Sequence, residues 1–163
     1  MIGSAMEFEL RDETAEDESF LERLYADVHA GEFAPLGLGA EQMAGLMAMQ
    51  ARAQRMGYAG SYPAAKRWVV WVGERAIGRM IVDHGERMVT LVDVALLEEF
   101  RGKGIGGRLV EAVCREAVGA GKVVRLSVKR WNGAKNLYER AGFEVCGEDE
   151  LQFEMEFSAG RDE

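Results

Sequence analysis

Apolar and polar positions repeat along this chain with two different periods, and the changes of period mark its elements. Glu7 to Arg11 alternates weakly and predicts a first strand. Thr14, with Asp17 three residues on, resembles a capping box. Phe20, Leu21, Leu24, Tyr25 and Val28 then recur at helical spacing and predict a first helix. Gly31 to Gly39, with Pro35 inside it, reads as a loop. A second helix is expected over Glu41 to Met56, with Met43, Leu46, Met47 and Ala51 on one stripe and Gln50 and Gln54 along a polar edge. The methionines on that stripe suit core packing. Gly57 to Ala65 reads as a loop carrying Tyr58, Tyr62 and Pro63. Arg67 to Val72 and Ala76 to Val82 are then strands around a turn at Gly73-Glu74-Arg75. A second turn at His84-Gly85-Glu86 leads to a strand through Val89, so the three should form an antiparallel meander.

The strongest pattern follows. An apolar run from Val89 to Leu97 feeds a glycine-rich turn, and an amphipathic segment, Gly104 to Ala120, leaves it. Ile105, Leu109, Val110, Val113, Cys114, Ala117 and Val118 make one apolar stripe, which Gly119 and Gly121 end. Val123 to Val128 is a short apolar strand. A strand–helix–strand unit of this length implies parallel pairing with a right-handed crossover. Asn132 to Ala141 is a short helix stopped by Gly142, and Phe143 to Cys146 with Leu151 to Phe157 forms a closing hairpin.

The chain has 163 residues, enough for one domain with a sizeable core. Its formal net charge of −8 disfavours a nucleic-acid backbone as partner. No segment resembles a signal peptide or a membrane span. Cys114 and Cys146 have no metal or redox spacing, and Cys114 falls on an apolar helix face. The reading is a cytoplasmic protein with reduced thiols and no bound metal. His29 and His84 lack a second ligand at metal spacing and read as structural or solvent-facing.

The chemistry concentrates at Leu96 to Gly107. Free N–H groups at a helix start, with the positive end of the helix dipole behind them, suit an anion such as phosphate, and Arg101, Lys103 and Arg108 add positive charge. Gly102-Lys103-Gly104-Ile105-Gly106-Gly107 misses the dinucleotide fingerprint G-x-G-x-x-G, and the Lys-Ser/Thr end of a P-loop is absent. What stands there is Arg101-x-x-Gly104-x-Gly106. A second motif lies downstream, where Asn132 opens a short helix, Leu137-Tyr138 follows, and Gly142-Phe143 closes it.

Together these motifs resemble the GCN5-related N-acetyltransferases (GNAT), over about Val89 to Phe157. The resemblance implies a single acetyltransferase domain over residues 1–163, with core motifs in 88–157 and acceptor-side helices in 1–66. It implies a mixed α/β (α+β) fold with a central sheet of about seven strands, about four helices, and parallel strands four and five splayed apart. The pantetheine arm of acetyl-CoA, the co-substrate, would enter that splay. Backbone groups around Val94 and Leu96 would pair with the arm, with the Leu96 region polarising the thioester carbonyl. Amides from Gly102 to Gly107 would hold the pyrophosphate, with Arg101, Lys103, Gly104, Ile105 and Gly106 in that segment. Asn132 would contact the arm, Lys135 would approach the nucleotide end, and Tyr138 would be the general acid near the thioester sulfur. Departures from the family pattern include Leu97-Glu98-Glu99-Phe100, where a proline is common before the acidic residue, and the bulky Trp131 beside Asn132.

Acyl transfer to an amine needs a base, because a free alkylamine is protonated at neutral pH. Asp93, in an otherwise apolar strand, is a candidate, though it reads more readily as satisfying backbone donors at the splay. Glu32, Glu98 and Glu99 are weaker candidates. The acceptor, a small amine or a peptide amine, would meet Tyr25, Glu32, Gln50, Tyr58 and Tyr62. The apolar closing hairpin is one that a homodimer could share. A non-catalytic acyl-CoA-binding sensor or scaffold is the rival reading, and the presence of Tyr138 favours the enzyme.

Overall fold

The computed structural model describes residues 6–159. Seven strands form one sheet: β1 (Glu9–Asp12), β2 (Lys66–Val72), β3 (Arg75–His84), β4 (Met88–Leu96), β5 (Val123–Lys129), β6 (Glu144–Glu148) and β7 (Gln152–Phe157). Four α-helices accompany it: α1 (Glu18–Phe33), α2 (Ala40–Ser61), α3 (Ile105–Gly119) and α4 (Ala134–Arg140). The sheet order is β1-β2-β3-β4-β5-β7-β6. Every neighbouring pair is antiparallel except β4 and β5, which are parallel, as the strand–helix–strand spacing requires.

Strand alternation divides the core between the two faces of the sheet. Leu96 faces α3, in a cluster with Met80, Leu91, Ile105, Leu109 and Val113. Its neighbours Ala95 and Leu97 face the other way and pack with Leu21 and Leu24 of α1. The stripe foreseen on α3 is buried at Ile105, Leu109, Val110, Val113, Cys114 and Ala117. Among the described residues no helix is long and apolar enough to cross a membrane.

Two helices run past the ends that the sequence reading gave them. The helix α1 runs through Gly31 to Phe33, and the expected loop shrinks to a 3-10 turn, Ala34–Leu36, with Pro35 inside it. Gly37 then turns the chain at a φ of 67°, a conformation that costs glycine nothing. The helix α2 continues past Met56 to Ser61, absorbing Gly57 and Gly60. A glycine in a helix interior costs about 1 kcal/mol relative to alanine. Tertiary contacts offset that here, because Gln54 and Tyr58, one turn apart, both reach the buried Arg79. At the N-terminus the capping box forms as read: the Thr14 N–H donates to Asp17 at 2.8 Å, and the Glu16 N–H donates to the Thr14 hydroxyl at 3.2 Å.

Candidate active site

The sheet opens at its centre. The strands β4 and β5 pair only at Met88–Val123, Val89–Val124 and Thr90–Arg125. Beyond Thr90 they part: β4 stays on β3 as far as Leu96, while β5 pairs with β7 as far as Lys129. The β5-facing side of β4 from Leu91 to Leu96 therefore has no strand beside it among the described residues. Val94 and Leu96 lie on this diverging stretch.

The glycine-rich turn stands at the end of β4. Gly102 and Gly104 have φ values of 73° and 88°, which a side chain would strain. They swing the chain into α3 so that the first helical hydrogen bond runs from the Arg108 N–H to the Gly104 carbonyl, at 3.1 Å. The N–H groups of Ile105, Gly106 and Gly107 precede it and meet no acceptor among the described residues. Gly106 and Gly107 have ordinary φ values, and a Cβ there would meet Leu137 only at 3.5 and 3.7 Å. The turn thus presents a row of unspent donors at the positive end of a helix of 15 residues, with Lys103 exposed beside it.

Two of the arginines near this turn are committed elsewhere. Arg101 donates from Nε to the Leu96 carbonyl at 2.9 Å and from a terminal nitrogen to Asp27 at 3.2 Å. Asp27 on α1 also accepts from the Glu98 N–H at 2.7 Å, so one carboxylate ties α1 to the loop. Arg108 donates to the Met6 carbonyl at 2.6 Å and lies over the Phe8 ring. The sequence reads both as adding positive charge; in the structure both also brace neighbouring chain. Asp27, which holds the loop, carries no local sequence signal, because its partners lie more than 70 residues away.

Tyr138 is buried, 8 % exposed, and packs against Phe143 with ring centroids 5.8 Å apart. Burial, and secondarily the charge of Asp93, pushes its phenol up to about 12. Its hydroxyl has no hydrogen-bond partner among the described residues. Asn132 is exposed; its Oδ1 accepts from the Ala134 N–H at 2.8 Å just ahead of α4, and its amide nitrogen has no partner among the described residues. Lys135 bonds Glu139 at 2.9 Å and sits over the Phe153 ring, turned along its own helix. Trp131 is largely exposed.

Asp93 does not serve backbone donors, as the sequence suggested. Its Oδ2 accepts from Nε and a terminal nitrogen of Arg79, at 3.1 and 2.7 Å. Arg79 is the one charged residue buried among those described, 5 % exposed, and it also donates to Gln54 at 2.7 Å. An apolar-looking strand can hold Asp93 because this cation is opposite. The two are 14 residues apart on adjacent strands, a pairing no local pattern announces. Tyr58 lies beside this network; burial first, then the Asp93 charge, raises its phenol strongly, with Arg79 acting in opposition.

On the α1 side a small cavity is lined by Tyr25, His29, Gln54, Arg79, Asp93 and Ala95. Of the residues read as acceptor-facing, Tyr25 lines it; Gln54 stands there where Gln50 was expected. His29, read from the sequence as structural or solvent-facing, also lines it. Glu99 is engaged in two bonds with Arg75, at 2.6 and 3.0 Å.

A parallel pair that splits beside a glycine turn with free helix-start N–H groups is the arrangement that sets this sheet apart. Residues 63–145 match the family model for the acetyltransferase (GNAT) domain, and the chain belongs to that family. Solved structures share the fold. The PaiA N-acetyltransferase of Thermoplasma acidophilum, in complex with coenzyme A, is 20% identical with a TM-score of 0.71, over 94% of this chain and 100% of that one. PH1933 of Pyrococcus horikoshii is 21% identical with a TM-score of 0.71, over 94% and 99%. A GNAT acetyltransferase of Elizabethkingia anophelis with acetyl-CoA bound is 14% identical with a TM-score of 0.55, over 63% and 82%.

Proposed function

We propose that this chain transfers an acetyl group from acetyl-CoA to a primary amine by direct attack, with Tyr138 as the general acid. The observation that supports this reading best is the conjunction of three features on one side of the sheet. They are the gap beside Leu91 to Leu96, the unspent N–H groups of Ile105, Gly106 and Gly107, and a buried phenol on α4. The unspent donors fit a diphosphate, and the unpaired edge of β4 fits an arm bearing amides. The residues that would hold acetyl-CoA are the backbone of Val94 and Leu96 and the segment Arg101 to Gly107, with Lys103 adding charge, the Asn132 amide nitrogen on the arm and Lys135 toward the nucleotide. Bound there, acetyl-CoA supplies an electrophilic thioester carbonyl.

Tyr138 holds its proton throughout the neutral range because burial disfavours the phenolate. It is therefore loaded as a donor toward a developing thiolate, and its ring is fixed by Phe143. The face of β4 bearing Asp93 and Ala95, with α1 and α2 above it, is the acceptor side. In this reading residues 1–163 work as one domain, 1–66 supplying the acceptor side and 88–157 the acetyl-CoA side, on a small amine or a peptide amine.

A thiol-release assay with acetyl-CoA and a panel of amines tests the reading, with Tyr138→Phe as the variant. The phenylalanine keeps the ring and removes only the proton. It should lower kcat by about a hundred- to ten-thousandfold, the usual worth of a general acid, with the CoA-induced rise in melting temperature unchanged. A folded variant at wild-type kcat, with chemistry rate-limiting, refutes the role of Tyr138. A wild-type chain that binds acetyl-CoA and acetylates no amine favours a binding module instead.

A further inference from the structure

The proposed acetyl transfer needs a base on the acceptor side, and the cavity there offers few groups able to take a proton. Asp93 is paired through Oδ2 with Arg79, a permanent cation, and taking a substrate proton on either carboxylate oxygen would give up that ion pair. Tyr25 and Tyr58 are both held protonated: burial raises each, with the Glu32 charge adding to the first and the Asp93 charge to the second. Gln54 does not titrate. His29 is left.

Its setting is specific. His29 lies one turn beyond Tyr25 on α1, and the two rings stack with centroids 4.1 Å apart. Nδ1 is 2.6 Å from a carboxylate oxygen of Glu32, three residues further along the same helix. An ionised carboxylate only accepts, so in the neutral ring Nδ1 is the nitrogen that carries the hydrogen and Nε2 the one with the lone pair. Nε2 has no hydrogen-bond partner among the described residues. The imidazole is about three-quarters covered, at 23% side-chain exposure, while Glu32 is about half exposed at 48%. The ring is thus held on one face by Tyr25 and at one nitrogen by Glu32, in a cavity that also touches Asp93 and Ala95 on β4.

We infer that His29 is the general base for the amine, oriented by Glu32 as a positioning residue; the inference rests on the acetyl-transfer reading above. The substrate ammonium gives one proton to Nε2, and the freed amine forms the C–N bond to the acetyl carbon. As the C–S bond breaks, the nitrogen loses its second proton to solvent and the departing sulfur takes one from Tyr138, whose phenolate recovers a proton from solvent. The sum is one amide, one thiol and one proton released to solvent once His29 has shed its own. The charged groups around the imidazole are Glu32 on its own helix and the Arg79–Asp93 pair from the sheet, which cancels. The excess charge beside the ring is therefore negative, which suits a cationic amine as the acceptor.

The experiment is steady-state kinetics of the full chain with acetyl-CoA and any amine that wild type turns over. His29→Ala should lower kcat about a hundred- to ten-thousandfold, leave the CoA-induced melting shift intact, and recover in part with added imidazole. Rescue by a free base is not expected of a residue with only a packing role. Glu32→Gln keeps the fold and the stack if His29→Ala does not fold. It should lower kcat about tenfold and shift the imidazole away from the Nδ1–H tautomer, read by 15N NMR. Wild-type kcat in His29→Ala, or an unchanged tautomer with unchanged kcat in Glu32→Gln, overturns the base assignment while acetyl transfer stands. A wild-type chain that binds CoA but turns over no amine overturns both.

Discussion

Replacing Tyr138 by phenylalanine has a second consequence, visible without substrate. In the folded chain the phenol is raised from its ordinary 10.0 to about 12, burial being the larger cause and the Asp93 charge the smaller. The unfolded chain releases the proton near pH 10, while the folded chain holds it to about pH 12. Above pH 10 the unfolded state therefore binds fewer protons than the native state, and stability must fall as pH rises. The contribution is complete below pH 10 and is lost through pH 12. Linkage gives a loss from this one group of about 0.4 kcal/mol at pH 10, about 1.4 at pH 11 and approaching about 2.7 beyond pH 12. For a domain of this size, 1.4 kcal/mol corresponds to roughly 3–6 °C in melting temperature. Phenylalanine has no proton to lose. Wild type and variant should therefore melt within a degree or two of each other at pH 8, and the variant should melt higher at pH 11. Parallel thermal scans between pH 8 and 11 measure it. Tyr58 adds an alkaline loss of its own, but equally in both proteins, so the difference isolates Tyr138. Curves that stay parallel to pH 11 would mean that the phenol is hydrated in the folded chain, which would undercut its role as a shielded acid.

Gly104→Asp should abolish the CoA-induced melting shift, about 2.7 kcal/mol at a hundredfold excess of ligand over Kd, because its carboxylate competes for the Gly106 and Gly107 N–H groups and repels a diphosphate. The φ of 88° adds a strain of roughly 1–3 kcal/mol, so Gly104→Ala, which carries the strain without the charge, is the control. Arg79→Met leaves Asp93 with its cation gone, and urea denaturation should show a loss of about 3–5 kcal/mol; adding Asp93→Leu should return much of it, since an apolar pair is a fair replacement for a buried ion pair. A double variant no more stable than the single one would show that the pair is not what holds this part of the sheet.

What the sequence reveals here depends on how far apart the cooperating residues are. The α3 stripe, the meander and the strand–helix–strand unit rest on contacts within one element or between neighbours, and periodicity finds them. The glycine turn is legible for the same reason, since Gly102 and Gly104 adopt the positive φ that their residue type permits. The end of α2 was not, because the helix passes Gly57 and Gly60 on the strength of Gln54 and Tyr58 gripping Arg79 from 21 or more residues away in the chain. Separations of 14 and 74 residues likewise hide the partner of Asp93 and the tie from Asp27 to Arg101. His29 shows the opposite limit. Its neighbours Tyr25 and Glu32 are local, yet a histidine on a helix announces nothing until the cavity beside it is known.

The divergence of β4 from β5 also bears on how this sheet avoids sticking to others. A row of unpaired backbone groups invites a strand from another chain, and proteins commonly protect such edges with charge. The outer strands follow that rule: β1 carries Glu9, Arg11 and Asp12, and β6 carries Glu144 and Glu148. The row from Leu91 to Leu96 carries only Asp93, already paired to Arg79, and is otherwise apolar. Its protection is positional. With β3 on one flank and β5 held by β7 beyond the gap, the exposed row lies inside the sheet, where a slender molecule can thread but a second sheet has no side from which to approach. The chain can therefore keep its stickiest edge bare, because the neighbours that leave it unpaired also fence it off.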